Sequence, residues 1–200
     1  MMLERLAACC LIVLLSPLLA TLSLMIMIDS GWPFWFVQKR VGKKGKVFWF
    51  VKFRSMYMGA EHDQKRFCYL NEADGPVFKI REDPRLTRVG RLICHSGIDE
   101  LLQLINVAKG EMSLVGPRPL PVSERNKLAK KYLKREEVNP GIISPWVFLG
   151  YHRLSFDKWM ESDLKYVKNK NWKDDFKLLI MGVKMVVTFF VRRLLSIVFG

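Results

Sequence analysis

Acidic residues are in short supply. Nineteen Asp plus Glu stand against 33 Lys plus Arg, a formal charge of +14 over 200 residues. A balance so one-sided calls for an anionic partner, either phospholipid headgroups or nucleic acid. Nucleic-acid signatures are missing in turn: no RNA- or DNA-binding motif occurs, and no stripe of aromatics alternates with basic residues. Cysteine is scarce and unpatterned. Cys9 and Cys10 fall inside an apolar segment, Cys68 and Cys94 stand alone, and no CxxC occurs. That excludes a disulfide framework and a zinc site, and it suits a reducing cytoplasm. Internal repeats and low-complexity segments are absent too. What is plentiful is hydrophobic: 50% of the residues, enough for the core of one domain.

Residues 6–28, "LAACCLIVLLSPLLATLSLMIMI", carry no charge. The run is long enough for a bilayer, which needs about 20 apolar residues. A secretory signal peptide fits poorly, because Arg5 is offset by Glu4 and no small-x-small cleavage site follows. Within the run, Ser16-Pro17 is a break. Pro17 has no N–H for the Val13 carbonyl, and its ring crowds that turn. Each half is only about 17 Å long at 1.5 Å per residue. Two arrangements satisfy this: a kinked spanning helix, or a helix that enters, bends and leaves on the same face. In either, the freed carbonyl needs a partner, for which the Ser16 hydroxyl is placed. Lys39, Arg40, Lys43, Lys44 and Lys46 follow the segment, which puts the remainder on the cytoplasmic side.

The stretch "FWFVKFRSMY" (48–57) reads as a half-buried strand or an interfacial element, and Trp32, Trp35 and Trp49 suit a headgroup layer. In "VFKIREDPRLTRVGRLICHSGIDE" (77–100), Arg85, Arg88 and Arg91 recur every third residue. A helix would gather them near one face, either as a solvated edge or as a phosphate site. Ser96 followed by Asp99 has the S-x-x-D pattern of a capped helix start. Ile98, Leu101, Leu102 and Ile105 would form the apolar face of that helix. Asp99 then has two readings. It is a first-turn acid that complements the helix dipole, or a carboxylate nucleophile at an anion site. In the second reading a magnesium ion on Asp99 and Glu100, with arginines around it, offsets the repulsion between carboxylate and phosphate.

Taken together, "DPRLTRVGR" and "DELLQLINVAKGEMSLVGPRPLP" resemble the small monotopic phosphoglycosyl transferases, also called bacterial sugar transferases. "SP" in the first apolar segment, "KFRSM" (52–56), "DGPVFKIREDPR" (74–85), "NPG" (139–141) and "SFDKWMESDLKYVKN" (155–169) occur in comparable places. The resemblance covers nearly the whole chain, and 74–119 is its most specific part. It implies an α/β, mostly helical monotopic fold with a small sheet, one at most, and a re-entrant first helix broken at Ser16-Pro17. It also implies transfer of sugar 1-phosphate from a UDP-sugar to undecaprenyl phosphate, with release of UMP, at the cytoplasmic face of the bacterial inner membrane. Asp99 is the implied covalent nucleophile, with Glu100 and magnesium beside it, and Arg118 the implied phosphate or nucleotide contact. Lys52, Arg54, Arg85, Arg88, Arg91 and Arg153 complete the expected substrate-binding set. Membrane phospholipid is an expected partner, as are later glycosyltransferases of the same pathway.

The chain departs from the family pattern at several positions. Cys94 stands where an arginine is usual, Gly97 and Ile98 replace "SL", and Leu102 replaces a proline. In "PGIISPWVFLGY" (140–151), Ser144, Val147 and Tyr151 stand for glycine, glutamine and arginine, and Arg153 is the nearby compensating cation. These changes bear on donor identity, and they motivate an alternative: an inactive, membrane-bound relative that binds lipid or protein. The expected organisation is a membrane segment over 1–37, a cytoplasmic catalytic part over 38–175, and a basic amphipathic interfacial helix over 176–200. In that helix Lys177, Lys184 and Arg192 share about 80° of arc.

Overall fold

The structure, a computed structural model, describes residues 2–149 and 155–198. The apolar N-terminal run forms α1 (Met2–Leu14) and α2 (Ser16–Ser30), bent by 63° at the Ser16-Pro17 break. The Ser16 hydroxyl donates to the Val13 carbonyl at 2.8 Å, so the acceptor that proline abandons is satisfied locally. Thr21 and Ser23 donate to carbonyls four residues back, which hides their hydroxyls within the helix surface. No single helix among the described residues is long and apolar enough to cross a membrane, although α1 and α2 pass that test as a bent pair.

Both arms lie along the same body. Ala8 of α1 packs with Phe48, Phe50, Leu104 and Val107, while Leu22 and Ile26 of α2 pack with Phe53, Ile93, Ile98 and Leu102. Their opposite faces leave Leu3, Leu6, Val13, Leu14 and Ile28 exposed.

Strands β1 (Trp35–Val41) and β2 (Val47–Phe53) form an antiparallel hairpin. Short β4 (Leu120–Pro121) joins the other edge of β1, giving the order β2-β1-β4. The free edge of β2 is closed by one side chain. Asn106, fully buried on α4 (Leu104–Lys109), donates to the Trp49 carbonyl at 2.7 Å and accepts from the Val51 N–H at 3.2 Å. An edge strand covered in this way offers no template for pairing.

A second, parallel pair joins β3 (Ser113–Val115) to β5 (Gly141–Ile143). This corrects the expectation of one sheet at most. Three-residue strands carry almost no alternation to read, and this pair depends on backbone contact. A Cβ at Gly141 would lie 2.0 Å from the Gly116 nitrogen. The helical remainder is α3 (Arg88–Ser96), α5 (Val122–Arg125), α6 (Phe156–Asn169) and α7 (Trp172–Val198), with several 3₁₀ turns. Helix α7 begins four residues before the expected 176, and its cations Lys177, Lys184 and Arg192 are exposed.

Candidate active site

Three local features bring Asp99 and Glu100 to one end of the sheet. Thr87 caps α3 by accepting from the Gly90 N–H at 2.9 Å. Gly90 lets the helix lie against the end of β2, since a Cβ there would meet the Ser55 carbonyl oxygen at 1.8 Å. Gly97, in the left-handed region at φ +75°, then ends α3 and turns the chain into a 3₁₀ segment, Ile98–Gln103.

This overturns the capped-helix reading of Ser96. Ser96 is the last residue of α3, its hydroxyl donates to the Ile93 carbonyl, and Asp99 makes no capping bond. The left-handed glycine inserted between them resets the helical phase, which an S-x-x-D spacing does not reveal. Ile98 and Leu102 still face the core.

Asp99 is buried, 4% exposed, with its Oδ2 3.6 Å from the Lys52 ammonium. Strand pairing explains Lys52. Phe36, Gln38 and Arg40 on β1 lie opposite Lys52, Phe50 and Phe48 on β2, so Lys52 and Arg40 share one sheet face. Next in the chain, Glu100 pairs with Arg118 at 2.5 Å. Arg118 arrives in the 117–119 turn, which β4 delivers to the edge of β1 beside Arg40. Two buried arginines hold that turn. Arg40 donates to the Pro119 carbonyl at 2.9 Å, and Arg135, itself paired with buried Asp163, donates to the Arg118 carbonyl at 2.6 Å.

Burial pushes the Asp99 carboxyl up to about 6; Lys52 opposes this, Glu100 adds to it and Arg118 opposes it. Arg40 is pushed down to about 9 by burial and then by Arg118. Lys79 is pushed down to about 8 by the same two causes in the same order. Three cations, Arg40, Lys79 and Arg118, therefore crowd one place. All three line a cleft of about 200 Å³ whose other walls include Phe78, Glu124, Trp146 and Trp159. The Trp146 and Trp159 rings lie 4.3 Å apart between centroids. Glu72 and Asp74 line the same cleft beside Glu124, so its three cations face three carboxylates around an aromatic recess, and Arg118 is the residue that links it to Glu100 and the neighbouring Asp99.

Not every expected residue joins this group. Arg85 is buried and turned away, bidentate to Asp83 at 2.6 and 2.9 Å and donating to the Ala60 carbonyl. It precedes α3, so the three-residue recurrence of arginines does not continue a helical face. Arg54 is also buried, its guanidinium donating to the carbonyls of Ser30 and Gly31 at the end of α2. Both are structural clamps. Arg88 and Arg91 are exposed on α3 and line a different groove, on the α7 side. Arg153 and Tyr151 lie outside the described residues. Cys94, at the usual arginine position, sits within electrostatic reach of Asp99, Lys52, Glu100 and Arg118, and Lys52 is the cation nearest Asp99 among the described ion pairs.

For a metal, the protein share is small. No group of three or more His, Cys, Asp or Glu converges among the described residues. The adjacent carboxylates Asp99 and Glu100 suit magnesium, which takes one or two carboxylates and fills its octahedron with phosphate oxygens and water.

The profile of the bacterial sugar transferases matches residues 1–189. The chain belongs to the bacterial sugar transferase family. It is 38% identical over 159 residues to the galactosyl transferase CpsE of Streptococcus agalactiae, covering 79% of this chain and 35% of that protein. To the undecaprenyl-phosphate galactose phosphotransferase of Salmonella typhimurium it is 35% identical over 184 residues, 88% of this chain and 38% of that one. To the uncharacterized sugar transferase EpsL of Bacillus subtilis it is 37% identical over 163 residues, 82% and 74% of the two chains. The chain thus spans little more than a third of the first two relatives.

As a bacterial sugar transferase, the chain carries site residues that its motifs alone did not single out. Arg40 and Lys79 enter through strand register and the path of the 71–87 loop, which spacing does not encode. Burial of Asp99 also has a pH consequence. Its folded pKa lies above the unfolded value, so the folded state binds the proton more tightly, and the Asp99 contribution to stability falls as pH rises from about 4 to about 6. The melting temperature of the wild type relative to Asp99→Asn is expected to be higher at pH 5 than at pH 7.5. Any step that needs ionised Asp99 should lose rate below about pH 6 with unit slope. Thermal melts and a kcat/KM profile check both.

Proposed function

We propose that this protein transfers sugar 1-phosphate from a UDP-sugar to undecaprenyl phosphate through a phosphosugar bound covalently to Asp99. The observation that carries the reading is a desolvated carboxylate, Asp99, held by Lys52 beside the Glu100–Arg118 pair, whose arginine also lines the cleft that holds Arg40 and Lys79. Nucleophiles need a low-water setting and nearby positive charge when they attack an anion.

In the first step an Asp99 carboxylate oxygen attacks the sugar-bearing phosphorus. An acyl–phosphate bond forms, the bond to UMP breaks, and UMP leaves with the electron pair. Lys52 keeps Asp99 ionised and oriented. Arg118, braced by Arg40 and Arg135, gives up its hold on Glu100 to contact a donor phosphate, and Lys79 is placed for the other. The aromatic recess of Phe78, Trp146 and Trp159 takes the nucleoside. In the second step a phosphate oxygen of undecaprenyl phosphate attacks the same phosphorus, and the Asp99–phosphorus bond breaks to restore the carboxylate. Glu100, released from Arg118, orients the acceptor. Magnesium held by Asp99 and Glu100 would neutralise the phosphate oxygens.

The reaction would lie at the cytoplasmic face of the bacterial inner membrane, feeding later glycosyltransferases of a surface-glycan pathway. The bend and the common packing of α1 and α2 on one body support a re-entrant rather than a spanning segment, because a span would leave that body. In a background freed of native cysteines, single cysteines at positions 2 and 44 should both resist an impermeant maleimide in intact cells. Labelling of position 2 alone would replace the re-entrant arrangement with a kinked span.

UMP release measured with undecaprenyl phosphate, magnesium and a panel of UDP-sugars tests the activity. The names of the Streptococcus and Salmonella relatives put UDP-galactose first in the panel. Magnesium-dependent release with one donor is expected. Silence across the panel would favour the inactive, lipid- or protein-binding alternative.

A further inference from the structure

The groove beside α3 is separate from the cleft at Arg118. On α3, Arg88, Arg91 and His95 fall within about 60° of one another at 100° per residue. Arg81 joins them from the preceding loop, and Phe189 of α7 supplies the facing wall. Three guanidinium groups thus meet one carboxylate, Glu82, which stands 3.8 Å from the His95 ring. Among the described residues none of these arginines forms an ion pair with a carboxylate, unlike Arg85, which is neutralised by Asp83 two residues away. The excess positive charge asks for an anion, and planar guanidinium forks fit phosphate oxygens.

The apolar wall adds a second requirement. Phe189 also borders a groove along α7 lined by Phe148, Met181 and Met185, with Lys184 and Arg192 at its sides. Ile180, Val183 and Val187 are exposed on another side of the same helix. A free phosphate would use only the arginine end. A phosphate carrying a hydrocarbon chain would use both ends, its head between Arg88 and Arg91 and its chain past Phe189.

We infer that the α3–α7 groove is a binding site for the phosphate headgroup of a membrane amphiphile, distinct from the Asp99 centre. Two sources carry this chemistry, an anionic phospholipid and a polyprenyl phosphate. On α3 the groove lies about 60–120° around the helix from Cys94, which faces the Asp99 side. A bound headgroup would therefore hold α3, and with it the 3₁₀ segment that carries Asp99, at a fixed depth against the bilayer.

Native mass spectrometry of the detergent-solubilised full chain tests the site, with dioctanoyl-phosphatidylglycerol, dioctanoyl-phosphatidylcholine, farnesyl phosphate and inorganic phosphate as probes. One amphiphilic phosphate per chain is expected to bind at least tenfold more tightly than phosphatidylcholine and inorganic phosphate. Arg88→Gln/Arg91→Gln should weaken it at least tenfold. Phe189→Ser should weaken the amphiphiles and leave inorganic phosphate unchanged. Preference between phosphatidylglycerol and farnesyl phosphate names the source. Because Arg88 and Arg91 are exposed, both variants should fold, and far-UV circular dichroism checks this. Undiminished binding in the double variant, equal binding of phosphatidylcholine, or inorganic phosphate binding as well as the amphiphiles would overturn the inference. Loss of farnesyl phosphate binding in Asp99→Asn, with no effect in the arginine variant, would assign that ligand to the catalytic centre instead.

Discussion

Asp99→Asn should lose turnover by at least about 10⁴-fold while keeping its fold, since a neutral amide cannot form the acyl phosphate. The expected stability change sets this apart from a structural residue. Asp99 is buried at 4% exposure and its ionised form is disfavoured there. Asn removes that electrostatic strain and leaves Lys52, whose side chain is 21% exposed, in contact with water. The melting temperature at pH 7.5 should therefore hold or rise. An inactive variant of undiminished stability is the signature of a carboxylate kept for chemistry at a cost in stability. Turnover assays and thermal melts on the same preparation measure both. A variant that retained more than a tenth of wild-type turnover would remove Asp99 from the covalent role.

The second large effect belongs to Arg118. Arg118→Lys is expected to lower kcat/KM by about 10²–10³-fold, because an ammonium cannot reproduce a two-point guanidinium contact to phosphate. The turn that carries Arg118 is held through its backbone by Arg40 and Arg135, so the substitution should leave the turn in place. Lysine still pairs with Glu100 as a point charge, and thermal stability should change by less than about 1 kcal/mol. Near-normal kinetics in this variant would return Arg118 to a purely structural pairing with Glu100.

The legible parts of this site were those encoded within a few residues. The Ser16 hydroxyl could be matched to the Val13 carbonyl because proline chemistry and a three-residue reach define both partners. The resemblance named Asp99 and Glu100 for the chemistry and the "GPRP" arginine for a substrate phosphate or nucleotide; the structure brings Arg118 to Glu100, a contact that no spacing announced. Arg85 misled because a three-residue recurrence looks alike whether or not a helix has begun; here α3 starts at Arg88, and Asp83 claims the guanidinium. Asp99 was placed on a capped helix because Gly97 hid a left-handed turn. Arg40 and Asn106 owe their roles to β1–β4 pairing across 80 residues and to a strand edge closed from α4, neither of which leaves a periodic trace.

The central claim is the covalent intermediate, and intact-mass measurement of the protein tests it most directly. Wild-type protein incubated briefly with its UDP-sugar and magnesium, without undecaprenyl phosphate, should gain the mass of one phosphosugar and release one equivalent of UMP. Asp99→Asn should gain nothing. UMP release that depends strictly on acceptor, with no adduct at any short time in a demonstrably active preparation, would contradict the account.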